Sequence, residues 1–184
     1  MRGFYPRRTM SGYSFDRLKV MVVDDNAHMR KLVSAILRAF GCVHITEASD
    51  GQMAWAMLRD ANPDVVILDW MMEGMSGFDF AKLVRTPESP NPYLPIIMLT
   101  GNSSAECVNG ARDAGVNEFL AKPVSAKAIM VRLTSVIENP RPFVRTQGYF
   151  GPCRRRRGNQ EYRGPERRAD SSYMIDNEQL RAAS

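Results

Sequence analysis

The 184-residue chain is poor in cysteine: Cys42, Cys107 and Cys153 are scattered thiols with no paired spacing. An odd, unpaired set argues against a disulfide framework or a Cys-based zinc site and points to a reducing compartment, the cytoplasm. Histidine is scarcer still, and His28 and His44 lack the spacing of a ligand pair. No apolar run is long enough to span a bilayer, and the opening MRGFYPRRTMSGYSF is basic without the apolar centre of a secretory leader. After residue 138 apolar periodicity nearly vanishes and glycine and proline abound, which argues against a helix-turn-helix there.

What the chain does have is a core. Hydrophobic residues make up 44% of it, enough for one domain. Charge divides it: residues 1–138 carry 15 Lys and Arg against 15 Asp and Glu, while residues 139–184 carry 10 Arg against 5 acids. The whole excess of +5 therefore lies in the last quarter.

Five short apolar runs recur: LKVMVV (18–23), CVHITEA (42–48), DVVILD (64–69), PIIMLT (95–100) and NEFLA (117–121). Most are continuous rather than alternating, as parallel strands covered on both faces require. Helical patterns separate them. Met29, Leu32, Val33, Ile36, Leu37 and Phe40 share one helix face, with Asn26 as cap and Gly41 as stop. Residues 50–60, 78–85, 104–114 and 125–138 supply four more. The alternation predicts a doubly wound α/β fold, a five-stranded parallel sheet with helices on both faces. The fourth helix contains Asn109-Gly110, a handicap of about 1 kcal/mol relative to alanine. Its composition suits a mobile helix or a poor static one.

The expected organisation is an N-terminal extension (1–15), the α/β domain (16–138) and an Arg-rich, flexible tail (139–184). In that tail Tyr149-Phe-Gly-Pro-Cys-Arg-Arg and Tyr162-Arg-Gly-Pro-Glu-Arg-Arg share Y-x-G-P-x-R-R, and a short helix is expected from about Asp176. Arg154 to Arg157, Arg167 and Arg168 suit a nucleic acid, an anionic membrane surface, an acidic patch on a protein partner or plain solvation, with Tyr149, Phe150 and Tyr162 placed to stack on single-stranded bases.

In such a fold the functional crevice lies at the carboxyl ends of the strands. Asp24 and Asp25 follow the first strand, Asp69 the third, Thr100 the fourth and Lys122 the fifth. Three converging carboxylates repel one another unless a divalent cation and an ammonium relieve them. Hard oxygen ligands of this kind suit Mg²⁺, and Lys122 supplies the ammonium. A carboxylate so placed either binds a phosphate-bearing ligand through the metal or itself attacks phosphorus to form an aspartyl phosphate.

The segments "VVDD" (22–25), "ILDWMM" (67–72), "MLTG" (98–101) and "FLAKP" (119–123) resemble the receiver domain of bacterial two-component response regulators. The resemblance covers about residues 16–138 and implies a flavodoxin-like fold. It makes Asp69 the phosphoacceptor, Asp25 the main Mg²⁺ ligand, Asp24 a ligand through water and the Met71 carbonyl a further ligand. Thr100 becomes the hydroxyl that approaches the phosphoryl group, Phe119 the aromatic switch, and Pro123 the residue after a cis peptide bond. Two departures stand out: Glu73 replaces a frequent proline, and Met71 and Asn102 occupy positions that tune dephosphorylation. An apolar Met71 implies a long-lived phosphoryl group.

Implied with the family are a histidine kinase or histidine phosphotransfer protein as donor and a downstream protein target. The chain is expected to be a signalling module rather than an enzyme. Two other readings are a nucleic-acid-binding protein whose receiver gates the Arg-rich tail, and a scaffold indifferent to phosphate. A haloacid-dehalogenase-type phosphatase also uses an aspartyl phosphate, but no D-x-D follows the first strand.

Overall fold

The computed structural model describes residues 8–9, 12–13, 15–101, 105–153 and 173–175. Five parallel strands form its centre: β1 (Lys19–Val23), β2 (His44–Ala48), β3 (Val65–Asp69), β4 (Ile96–Thr100) and β5 (Glu118–Ala121), in spatial order β2-β1-β3-β4-β5. Between and after them run α1 (Ala27–Ala39), α2 (Gly51–Ala61), α3 (Gly77–Val84), α4 (Ala105–Asp113) and α5 (Ala126–Glu138). The expected five-stranded α/β fold is present.

Its layering follows from the period-2 geometry of a strand. Val20, Val22, Val65, Ile67, Ile97 and Leu99 project into one core with Val33, Leu37, Ile129 and Leu133 of α1 and α5. Their sequence neighbours Met21, Val23, Val66, Leu68, Ile96 and Met98 project into the other, against α2, α3 and α4. Both faces are covered, so every position of β3 and β4 must be apolar until the strand ends. Phe15, assigned by sequence to the N-terminal extension, is fully buried in the first of these cores.

The helix signals act as expected. The Asn26 side chain accepts from the His28 and Met29 amides at 2.9 and 3.3 Å, and Asp50 caps α2 through the Met53 amide at 2.8 Å. Gly41 closes α1 with φ +88°. Gly110 on α4 lies against the Trp70 indole: a Cβ there would meet Cη2 at 3.4 Å, an ordinary van der Waals contact.

Part of the segment expected as a flexible tail from residue 139 forms strands. Phe143–Thr146 (β6) and Tyr149–Pro152 (β7) form an antiparallel hairpin, and Tyr173–Ile175 (β8) pairs with the other edge of β6. The hairpin is seated on the α/β domain. Phe143 is 3% exposed, and the Phe143 and Phe150 rings pack edge-on against Tyr93 at 5.0 and 5.3 Å. Gly151 passes so close to Gly115 that a Cβ would lie 3.0 Å from its Cα, and the Tyr149 hydroxyl donates to the Pro152 carbonyl at 2.8 Å. The first Y-x-G-P segment is thus a docked strand. Its second copy, the arginines at 154–157, 167 and 168, Asn102 and the short helix expected from Asp176 lie outside the described residues.

Beneath the hairpin sits Arg85, at the end of α3. Its guanidinium is buried and donates to Gly115 O at 3.0 and 2.8 Å, to Pro92 O at 2.7 Å and to Asn117 Oδ1 at 3.2 Å, with the Phe143 ring 5.2 Å away. Burial pushes its pKa down to about 9, which leaves it charged at neutral pH.

Candidate functional site: an acidic pocket at the strand ends

β1 and β3 are central neighbours, so their carboxyl ends bring Asp24, Asp25 and Asp69 together. One oxygen from each lies within 4.8 Å of the others. Asp24 is 1% exposed and both of its oxygens are engaged: Oδ1 accepts the Asn26 N–H at 2.9 Å and Oδ2 the Lys122 ammonium at 3.0 Å. Asp25 is exposed. Asp69 is 6% exposed, and its Oδ1 is 2.8 Å from Lys122 Nζ.

The electrostatics follow from that geometry. Burial raises the Asp69 pKa, the Lys122 hydrogen bond opposes this, and the Asp24 charge adds to the rise. Burial acts to lower Lys122, but the Asp69 and Asp24 carboxylates outweigh it, so the ammonium is held more tightly. The Lys122 ammonium against three carboxylates, with the nearby Arg30 guanidinium set against Glu47, leaves a pocket of net negative charge lined by hard oxygens. That donor set fits a small divalent cation.

Of the other expected site residues, Thr100 ends β4 at the same sheet edge, paired with Ala121 of β5. The Lys122 amide donates to its carbonyl at 2.7 Å. The Lys122–Pro123 bond is cis, as the resemblance implied. Met71 is 72% exposed in the β3–α3 loop, and Glu73 is also exposed. Phe119 is set apart from the pocket: half-buried on β5, it packs against the core under α2, α3 and α4 and lines a small cleft with Arg112, Val116 and Arg141.

Three contributors escaped the sequence reading. Trp70 directly follows Asp69 and packs on Phe78 at 5.7 Å and beside Gly110, joining the pocket to α4. Arg30 reaches the backbone beneath Asp24 and Asp25. Gly77 opens α3 so near β3 that a Cβ would run into the Asp69 carbonyl, while its N–H donates to Trp70 O at 3.1 Å. Gly77→Ala is therefore expected to cost about 2–3 kcal/mol, as overpacking against fixed backbone does. Urea denaturation measures it, and a loss below about 0.5 kcal/mol would show that the turn yields instead.

Residues 20–134 match the family described as the response regulator receiver domain, and the chain belongs to that family. It is 34% identical to the chemotaxis protein CheY of Pseudomonas aeruginosa over 121 residues, 66% of this chain and 97% of that protein. Identity to CheY-3 of Vibrio cholerae is 36%, over 66% of this chain and 92% of the relative. Among solved structures, Vibrio cholerae CheY4 superposes with a TM-score of 0.61 at 35% identity, covering 65% of this chain and 98% of that one. The CheY of a CheX–CheY–BeF₃–Mg²⁺ complex from Borrelia burgdorferi does so with 0.59 at 25% identity, covering 65% and 88%. The chain is thus a response regulator of two-component, phosphorelay signalling. The β6–β7 hairpin lies beyond the matched residues. No helix among the described residues is long and apolar enough to cross a membrane.

Proposed function

We propose that this protein is a phosphorylation-controlled binding module: Asp69 accepts a phosphoryl group from a histidine kinase or histidine phosphotransfer protein in the cytoplasm, and the modified domain then engages a protein target. The observation that carries this is the convergence of three carboxylates within 4.8 Å around one ammonium, with Asp69 tied to Lys122 at 2.8 Å. In the transfer an Asp69 carboxylate oxygen forms a bond to phosphorus. The donor's P–N bond breaks, and its imidazole leaves with the bonding pair.

Each residue has a role in this reading. Asp25 and Asp69, with the Met71 carbonyl, would hold Mg²⁺, and Asp24, whose oxygens are already engaged, would add its charge from behind them. The bound Mg²⁺ supplies neutralisation of charge on the transferring group. Lys122 and the Thr100 hydroxyl receive phosphoryl oxygens, a positioning and electrostatic task. Movement of Thr100 and Lys122 toward the new group would shift a two-state equilibrium read out through Phe119, α4 and β5. The protein acts by binding and not as an enzyme on other molecules. The Mg²⁺ and BeF₃ in the complex of the Borrelia relative support the reading.

The test is incubation with a small phosphodonor. With Mg²⁺ the full chain should gain one phosphoryl group, labile in acid and base, that mass spectrometry maps to Asp69. Labelling that persists without divalent metal, or that maps elsewhere, would remove the reading.

A further inference from the structure

Arg30 belongs to none of the roles above, yet it is wired to the pocket. Its Nη1 donates to the Asp24 carbonyl at 2.6 Å and to the Asp25 carbonyl at 3.2 Å. Its Nε lies 3.8 Å from Glu47 Oε2 on β2, and Glu47 Oε1 accepts from Ser34 Oγ of α1 at 2.6 Å. The Arg30 side chain is only 18% exposed. Two consecutive carbonyls aimed at one point repel each other as dipoles, and a cation between them removes the repulsion. These carbonyls belong to the two residues whose carboxylates build the site. The same turn presents the Asn26 N–H to Asp24 Oδ1.

We propose that Arg30 is a positioning residue of the acidic pocket: its guanidinium, aimed by Glu47, holds the turn after β1 so that the Asp24 and Asp25 carboxylates converge on Asp69. The inference rests on the metal-dependent reading of that pocket. Charge and position predict opposite signs. Arg30 is a cation close to the carboxylates, so by charge alone its removal should tighten Mg²⁺ binding. As a second-layer support, its removal should weaken binding by about tenfold or more.

The probe is Mg²⁺ itself, titrated into the full chain by calorimetry and by tryptophan fluorescence, since Trp70 adjoins Asp69. Arg30→Met, which keeps the apolar stem, should show the weakening. Arg30→Lys should recover part of it, because an ammonium keeps the charge and one of the contacts. Glu47→Gln should weaken binding less and add nothing on top of Arg30→Met, as residues acting through one another do. Unchanged or tighter Mg²⁺ affinity in Arg30→Met overturns the proposal. A metal-free measurement stands beside it: amide exchange at Asn26, whose N–H donates to Asp24 Oδ1, should quicken in Arg30→Met while α1 from Val33 onward stays protected. Equal exchange in the turn also overturns the role. If the unsubstituted chain takes up no Mg²⁺, the metal reading fails, and amide exchange alone decides whether Arg30 positions the turn.

Discussion

Asp69→Asn is expected to bring phosphoryl uptake to background and, in the same protein, to raise the melting temperature without metal. The first effect follows from chemistry, since an amide oxygen is not a competent nucleophile toward phosphorus here. The second follows from the cost of the carboxylate in the resting site. Burial, together with the Asp24 charge, lifts the Asp69 pKa despite the Lys122 hydrogen bond. A carboxyl whose folded pKa is raised binds its proton better in the native state, so stability from this group is full in acid and lost as pH rises through the folded value. Asparagine resembles the protonated form. The variant should therefore match the parent in acid and exceed it by a few degrees at neutral pH, with the gap opening above the usual carboxylate range. Mg²⁺ should narrow the gap by stabilising only the parent. Thermal melts across pH, with and without Mg²⁺, give the four curves needed. A variant less stable than the parent at neutral pH would mean that the Lys122 pairing outweighs desolvation.

The same balance explains why the pocket was legible in the sequence. Each carboxylate stands where a fully apolar strand stops, and strand ends in a doubly wound sheet converge. Lys122 could be placed by the same rule, as could the five strands, because continuous apolar runs have few other uses in a chain of this length. Gly77 and Arg30 obey no such local rule. Gly77 matters because α3 starts against the Asp69 carbonyl, a contact made by the crossover and not by any pattern in MSGFDF. Arg30 reads as an ordinary exposed position of an amphipathic helix until β2 brings Glu47 beside it. The hairpin was hidden for another reason. Glycine and proline at 148, 151 and 152 suggest broken structure, whereas here Gly151 is required by its approach to Gly115, and Gln147-Gly148 forms a two-residue hairpin loop. Phe143, Tyr149 and Phe150 around that turn were the available signal: three aromatics have little place in a solvated tail.

Ending the chain after Glu138 is accordingly expected to destabilise the receiver by about 2–4 kcal/mol, the scale of losing buried aromatic side chains. Phe143 and Phe150 would leave Tyr93 uncovered, and Glu118, buried at the start of β5, would lose its 2.8 Å pairing with Arg141 while Arg132 stays at 3.4 Å. One term opposes the loss. Arg85 is desolvated under the hairpin, as its lowered pKa records, and exposing it returns hydration to a charged guanidinium. The aromatic contacts and the Glu118 pairing should still dominate, because Arg85 keeps its carbonyl partners on Pro92 and Gly115 whether or not the hairpin is present. Ending the chain after Cys153 retains β6 and β7 and, among the described residues, removes the three-residue pairing of β8, so it should cost less than about 1 kcal/mol. Phosphoryl uptake by that shorter chain should match the full chain, since every residue of the acidic pocket precedes the hairpin. Urea midpoints of the two truncations and of Phe143→Ala in the full chain decide the matter: Phe143→Ala should reproduce most of the loss seen after Glu138. Equal midpoints for the chains ending at 138 and 153 would return residues 139–153 to the status of a tail.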